Sequence, residues 1–481
     1  MIGCAVVLGG GMGGLFSALA LAPLCQRIVV LERDPPPPHS TDAAFSDWPR
    51  RGASQMRHTH AFRARMTRLL RREHPEVLAE LRRLGVMEQT FAETLPDEAR
   101  RHYVPAPGDD DLTVLLSRRS TFELALHRSL AARPNVELRS GAFVTGLLTR
   151  RDATGTLVAE GFSTADGPRR GDIVIDAGGR SSPVAEWLEA AGAAPPQVGS
   201  SAGIVYFTQF FQLRPGATPP RRAAVGDLVY LKFGAIPADN GAHSITLAVP
   251  EADLALRQAA AHPDGFARIV GALPAASAWI DPAVATPLGR PAGMGDLKSR
   301  WRDMAPGGAP LALNLFSVGD SLMLTNPLYG RGCTLAAIEA HLLRDALRAS
   351  VDPIARARSY AAAVHRELGL HFEDMRRMDA AAVEAAVAHL GAGTRPRWPV
   401  RLKRHYLQHG LGIATRRSLD LTRRSLRAFH LLEPPGRWQA DPRTVAAALG
   451  SLLRGQRANA EFYPPAGPTR AQVLELAQLR A

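Results

Sequence analysis

Gly9-Gly10-Gly11-Met12-Gly13-Gly14 has the spacing G-x-G-x-x-G, and the chemistry open to such a hexad is capture of a pyrophosphate by main-chain N–H groups. Gly9 permits the tight turn, and Gly11 lets the backbone approach the phosphates. Gly14 permits close packing of the helix whose first residues, Met12 among them, face the anion. Glu32, followed by Arg33, stands about 20 residues on, where a carboxylate accepts hydrogen bonds from a ribose 2′-hydroxyl. The same charge repels a 2′-phosphate, which favours FAD or NAD over NADP. His58 and His60 are of metal-ligand type, but no third N, S or carboxylate ligand stands at suitable spacing, so no metal site is expected. His58 reads as a pocket-lining or hydrogen-bonded histidine. Cys333, at a helix start after Gly332, reads either as a thiol of lowered pKa or as a small core residue.

These residues need a scaffold. The run AVVLGGGMGGLFSALALAPLCQRIVVLERD reads as a buried strand, a glycine turn, an apolar helix and a second strand, a compact β-α-β unit. Residues 1–26 carry no charged side chain, yet no basic residue precedes the apolar stretch and the glycines fall at loop spacing. Neither a signal peptide nor a membrane span is expected. A helix is expected over about 120–132, then NVELRSGAFVTGLL as one strand, then DIVIDAGG as a buried strand of parallel-sheet type. From about 202 to 250 the pattern turns β-rich, with DLVYLKFGAIP and HSITLAVP joined through ADNG as a hairpin. A helix over about 333–349 and a largely helical remainder follow.

At 481 residues the chain is too long for one core, and 46% hydrophobic with 21% charged residues describes a folded globular protein. The net charge of +13 is carried by arginine, since the only lysines are Lys232, Lys298 and Lys403. A basic balance attracts nucleic acid or anionic surfaces. No nucleic-acid motif accompanies it, and no such partner is expected. Residues 395–429 hold ten Arg or Lys against one acid, Asp420. They read as a solvated basic helix face, with docking of an acidic carrier protein or a membrane surface as the alternative. Three cysteines, Cys4, Cys25 and Cys333, make no disulfide framework that uses all of them, and a reducing cytoplasm is the natural location.

The segment SVGDSLMLTNPLYGRGCTLAAIEA (317–340) resembles the second flavin motif of the FAD-dependent monooxygenases of the para-hydroxybenzoate hydroxylase type. The resemblance implies that Asp320 binds the ribityl chain, and that Pro327, Gly330 and Gly332 set a helix N-terminus against the pyrimidine end of the isoalloxazine. Main-chain N–H groups and the helix dipole would there offset the negative charge of a reduced flavin. Tyr329 and Arg331 lie inside the motif and join His58 as pocket candidates; Arg331 stands where a Gln or other neutral residue is expected. DIVIDAGGRSSPVAEWLE resembles the family's middle motif at Asp176, Gly178 and Arg180. Gly52, Gln55, Arg57, His58 and His60 resemble a stretch of the bacterial secondary-metabolism hydroxylases and epoxidases, and SRRSTFELAL (117–126) a Ser-Arg element followed by a helix. Arg57 and Arg118 or Arg119 are thereby implied as pyrophosphate or ring-edge contacts. No residue is assigned as catalytic.

The implied fold is α/β: an FAD-binding, Rossmann-like domain of glutathione reductase type (1–75, 112–195 and 295–375), an inserted β-rich substrate lobe (76–111 and 196–294) and C-terminal helices (376–481). The implied reaction inserts one oxygen atom of O2 into a small apolar or aromatic substrate through a C4a-hydroperoxyflavin, by hydroxylation or epoxidation. Such chemistry needs a dry pocket, which Tyr206, Phe207, Phe210, Phe211, Tyr230 and Phe233 have the surface to wall, although alternation turns some outward. No second G-x-G-x-x-G is present, so electrons come from NADH or NADPH bound transiently, or through a flavin reductase. A flavin dehydrogenase or reductase of an isoprenoid-like or carrier-bound substrate is the alternative. A halogenase is disfavoured because no lysine precedes Lys232 and no Trp-x-Trp-x-Ile-Pro motif occurs.

Overall fold

Four largely apolar runs, with the more polar Val136–Ser140 at one edge, build a five-stranded parallel sheet in the order Leu315–Ser317, Ile173–Asp176, Ile2–Leu8, Cys25–Glu32, Val136–Ser140. Such runs suit strands covered on both faces. The computed structural model describes residues 1–218, 223–391 and 398–477. From Ile2–Leu8 the chain moves to one side for Cys25–Glu32 and later to the other for Ile173–Asp176. The crevice at their carboxyl ends is therefore a topological switch point, the place where open α/β sheets receive ligands. Helix Met12–Leu21 is apolar all round because it is sandwiched between this sheet and helix Gly332–Ala349, and nine of its ten residues are buried.

Residues 135–148 do not form one strand. At Gly141 the backbone takes φ +73°, so Val136–Ser140 closes the parallel sheet while Val144–Arg151 joins an antiparallel sheet with Leu157–Thr164 and Gly167–Arg170. A left-handed glycine redirects the chain at little steric cost. Residues 76–111 do not join the substrate sheet either. Helix Pro75–Arg83 buries Val77, Leu78 and Leu81 in the first core, and Met87–Gln89 pairs with Val114–Leu116, itself paired with Ala61–Phe62.

The second lobe is a five-stranded antiparallel sheet in the order Ala224–Asp227, Lys232–Pro237, Ala242–Pro250, Ile204–Leu213, Ala285–Met294, and it contains the expected hairpin. Alternation sorts its aromatics. Phe207, Phe211, Tyr230 and Phe233 face a core with helices Leu254–Ala261 and Pro263–Gly271. Tyr206 and Phe210 face the other way. Helix Arg470–Ala477, from the far end of the chain, completes that core with Val473 and Ala477, and Arg470 pairs with Asp253 at 2.6 Å.

One helix joins the lobes. Pro353–His389 runs for 37 residues, about 55 Å at the α-helical rise. Tyr360, Val364, Leu368, Phe372 and Met375 lie in the first core, while Val383 packs on Gly203 and His389 stacks on Tyr230 of the second lobe. The boundary expected at 375/376 falls inside this helix, because no proline interrupts it after Pro353. Among the described residues no helix is long and apolar enough to cross a membrane.

Candidate functional site

The glycine loop sits at the carboxyl end of Ile2–Leu8, with Gly11 as N-cap and Met12 as first residue of its helix. A Cβ on Gly9 (φ +97°) would collide with Ala177 O, and one on Gly14 with Gly9 O. Gly11 differs: its Cβ would meet the Arg119 guanidinium at 3.5 Å and that of Arg50 at 3.8 Å, ordinary contact distances. The open face of the helix N-terminus is thus bracketed by two guanidinium groups. Glu123, fully buried, pairs with Arg119 at 2.7 Å and with Arg50 at 3.0 Å. Burial pushes the Glu123 carboxyl up, but Arg119 and Arg50 outweigh it and hold the group below the usual carboxylate range.

Glu32 accepts hydrogen bonds from Gly10 N–H (2.8 Å) and Asp34 N–H (2.9 Å) and pairs with Arg50 at 3.0 Å. A carboxylate has about four acceptor sites, so one remains for an outside hydroxyl. Arg33 is half exposed beside Asp34 and Gly52. Arg57 lies exposed over the Phe45 ring. Arg118 is placed away from the loop: its Nε and Nη2 donate to Asp239 Oδ2 at 3.0 and 2.6 Å, both side chains buried. Of the two neighbours, Arg119 is the one brought to Gly11.

Asp176 is a turn organiser. Its Oδ1 accepts from Ser182 Oγ (2.6 Å) and Gly178 N–H (3.1 Å), and its carbonyl from Ser321 Oγ (2.6 Å), which ties this turn to the Gly319–Ser321 turn. Asp320 lies deep in the molecule, yet its carboxylate has no hydrogen-bond donor among the described residues and keeps accessible surface. Burial raises its pKa, with Arg119, Arg180 and Arg300 opposing. A deep, accessible, unpartnered carboxylate fits a polyol such as the ribityl chain of FAD. Beyond it, Asn326 caps a 3-10 turn opened by Pro327, Gly330 takes the left-handed conformation (φ +56°), and Gly332 starts an 18-residue helix. Cys333 borders the same interior and burial pushes its thiol up to about 11, so it is no thiolate at neutral pH.

The antiparallel sheet of the second lobe meets the first along one strand face, two residues at a time. Tyr206 OH donates to Asn326 Oδ1 (3.0 Å), Thr208 Oγ1 meets His58 Nδ1 (2.9 Å), and Phe210 packs on Phe45 with ring centroids 4.8 Å apart. Asp379, on the joining helix, accepts from Tyr329 OH (2.8 Å), Asn326 Nδ2 (2.7 Å) and Ser299 Oγ (3.2 Å). Burial raises the Asp379 pKa, and these three hydrogen bonds oppose it only in part. A sequence signal for Asp379 does exist: His371, Phe372, Met375 and Asp379 form one helical stripe, and an acid on an apolar stripe must be partnered. Tyr329 therefore points into this cluster, while Arg331 is 2% exposed rather than facing solvent. Among the described residues no group of three His, Cys, Asp or Glu is arranged to hold a metal.

Burial lowers the pKa of His58 to about 4, of His60 to about 3 and of His127 to about 4, so all are neutral at pH 7. Between these values and the ordinary 6.5 the unfolded chain binds protons that the fold does not. Their stabilising contribution is complete above pH 6.5 and is lost as pH falls toward 4. Each histidine contributes a slope of up to about 1.4 kcal/mol per pH unit. Urea unfolding at pH 7.5, 6.5, 5.5 and 5 is expected to show this, and His127→Gln to lower the slope by about one proton; an unchanged slope would count against the burial of His127.

In the basic segment, Arg395 and Arg397 lie outside the described residues. Arg423 pairs with Asp109, Arg424 with Asp420 and Asp441, and Arg427 with Glu433. The exposed charge gathers on helix Trp398–His405, where Arg401, Lys403 and Arg404 accompany the exposed Trp398 and Leu402.

This architecture has counterparts among solved structures. Two solved structures share it: the OxyS anhydrotetracycline hydroxylase from Streptomyces rimosus (16% identity, TM-score 0.54, covering 90% of this chain and 76% of that one) and CmlS, a flavin-dependent halogenase (15%, TM-score 0.59, 94% and 77%). A relative by sequence, Protein Rv3254 of Mycobacterium tuberculosis (strain ATCC 25618 / H37Rv), is 26% identical over 373 residues, 72% of this chain and 73% of that protein. No family model matches the chain.

Proposed function

We propose that this chain is an FAD-dependent monooxygenase that inserts one atom of O2 into a small apolar or aromatic substrate. The observation that carries the reading is the Asp320 carboxylate, without a donor among the described residues, between the arginine-flanked glycine loop and the Gly330–Gly332 helix start. In this assignment Gly11, the Met12 helix N-terminus and Arg119 hold the diphosphate, Glu32 the ribose and Asp320 the ribityl chain. The N-terminus opened by Gly332 faces the pyrimidine end. Bound flavin supplies the redox chemistry and the activation of oxygen. The protein positions the substrate and excludes water, a task suited to the interior between Tyr206, Phe210, His58 and the flavin loop. Electrons reach the flavin from NADH or NADPH directly or through a reductase. Delivery of substrate by an acidic carrier rests on helix Trp398–His405 with the exposed Arg416 and Arg417, since Arg423, Arg424 and Arg427 are paired within the chain.

Halogenases among the fold relatives make the product decisive. The purified protein is expected to show a flavin spectrum, to oxidise NADH or NADPH, alone or with a reductase, in a substrate-dependent way, and to place label from 18O2 in the product. Turnover that runs equally well without oxygen, on another acceptor, points to a dehydrogenase. A chlorinated or brominated product in halide buffer points to a halogenase. Either outcome overturns the oxygenase reading while leaving the FAD assignment intact.

A further inference from the structure

Arg63 and Arg331 are the unexplained charges of this interior. Arg63 Nε donates to Tyr329 O at 2.8 Å and Arg331 Nε to Phe429 O at 3.1 Å. Both guanidinium groups stack on the Phe429 ring, at 4.6 and 5.2 Å from its centroid. Among the described residues neither forms an ion pair, and Arg331 Nη1 is buried with no hydrogen-bond partner. Asp374 attracts Arg331 from beyond ion-pair distance. The remaining neighbours add nothing negative. His371 and His430 each carry a buried, unpartnered Nδ1, and burial together with the nearby arginines keeps both neutral. Arg63 also feels the cost, since burial and Arg331 bring its pKa down to about 9.

Taking a guanidinium out of water costs several kcal/mol unless a counter-charge replaces the lost solvent. Carbonyl oxygens and an aromatic ring offset part of that cost for Arg63 and Arg331; the missing partner is an anion. Its place is fixed by Gly330, where an added Cβ would run into the Arg63 guanidinium. Arg63 lies deep yet keeps accessible surface, as Asp320 and Cys333 do, so it borders the interior beside the flavin loop. The planar fork of arginine matches a carboxylate through two parallel N–H bonds, which a lone ammonium does not reproduce.

We propose that Arg63 and Arg331 form a carboxylate-binding subsite beside the Gly330 turn, so that the molecule this site processes is an organic acid. This deepens the flavin reading and rests on it for the placement of the reacting ring. The test is a titration of the full-length protein as purified with sodium benzoate, with its neutral analogue benzamide, and with potassium chloride, read by the flavin visible spectrum and by thermal shift. Benzoate is expected to bind more tightly than benzamide by about tenfold or more, the scale of one charge-assisted hydrogen bond in a buried site. Arg331→Gln installs the neutral residue expected in this motif and, like Arg63→Gln, is expected to remove that preference with FAD content unchanged. Arg63→Lys, which keeps charge without the fork, is expected to recover it only in part. Equal binding of benzoate and benzamide, or a preference that survives in the doubly substituted protein, overturns the proposal. Chloride that competes as tightly as benzoate overturns the carboxylate assignment in favour of a simple halide site. Protein that carries no flavin fails the cofactor reading instead, and the thermal-shift arm still measures the arginine pair.

Discussion

Gly11→Val is expected to yield a folded protein whose retained FAD falls at least about tenfold, a loss of ~1.4 kcal/mol of binding or more, while Gly14→Ala is expected to fail at folding. The two glycines share a hexad but answer to different neighbours. At Gly11 the backbone is extended (φ −87°), and a side chain would meet only the ends of Arg119 and Arg50. Those flexible tips yield, so the cost falls on whatever occupies the space before the helix. At Gly14 a methyl group would overlap the Gly9 carbonyl and press on Val7. Backbone cannot retreat there without separating helix from sheet, at a cost of the order of 3 kcal/mol or more. Far-UV circular dichroism and unfolding curves separate the outcomes. A folded Gly11→Val protein with wild-type flavin content would refute the pyrophosphate assignment.

The contrast between the two glycines marks the reach of sequence. Local patterns carry the βαβ unit, the hairpin and the helix after Gly332, because strand alternation, turn glycines and helix starts are decided within a few residues. The split at Gly141 is not legible, because the two strand fragments read as one continuous strand until each finds a different sheet. Charge partnership is less legible still. Arg118 and Arg119 are adjacent, yet helix geometry turns one toward Asp239 and the other toward Gly11. Arg50 and Glu123 stand 73 residues apart and meet only in the fold. Arg331 stands out in its motif, but its lack of an ion-pair partner among the described residues shows only with Phe429, His371 and His430 in place around it, and these come from two helices of the C-terminal third.

Asp239→Ala is expected to lower unfolding free energy by about 3–5 kcal/mol, the usual consequence of stranding a buried charge. Asp239 is fully buried in the turn between strands Lys232–Pro237 and Ala242–Pro250. It accepts from the Arg118 guanidinium, from Arg118 N–H (2.6 Å) and from Thr121 Oγ1 (2.8 Å), so the second-lobe sheet is bolted to the start of helix Arg119–Ala131. That helix presents Arg119 to the glycine loop, and the bolt therefore fixes the second-lobe sheet relative to that loop. Replacing both partners with apolar residues, Arg118→Met with Asp239→Leu, removes the two charges together and is expected to cost less than either single change. Guanidinium chloride unfolding of the four proteins measures the coupling. If Arg118 instead contacted the diphosphate, Arg118→Met would release flavin while Asp239→Ala left stability near wild type, and that pair of results would exchange the roles of Arg118 and Arg119.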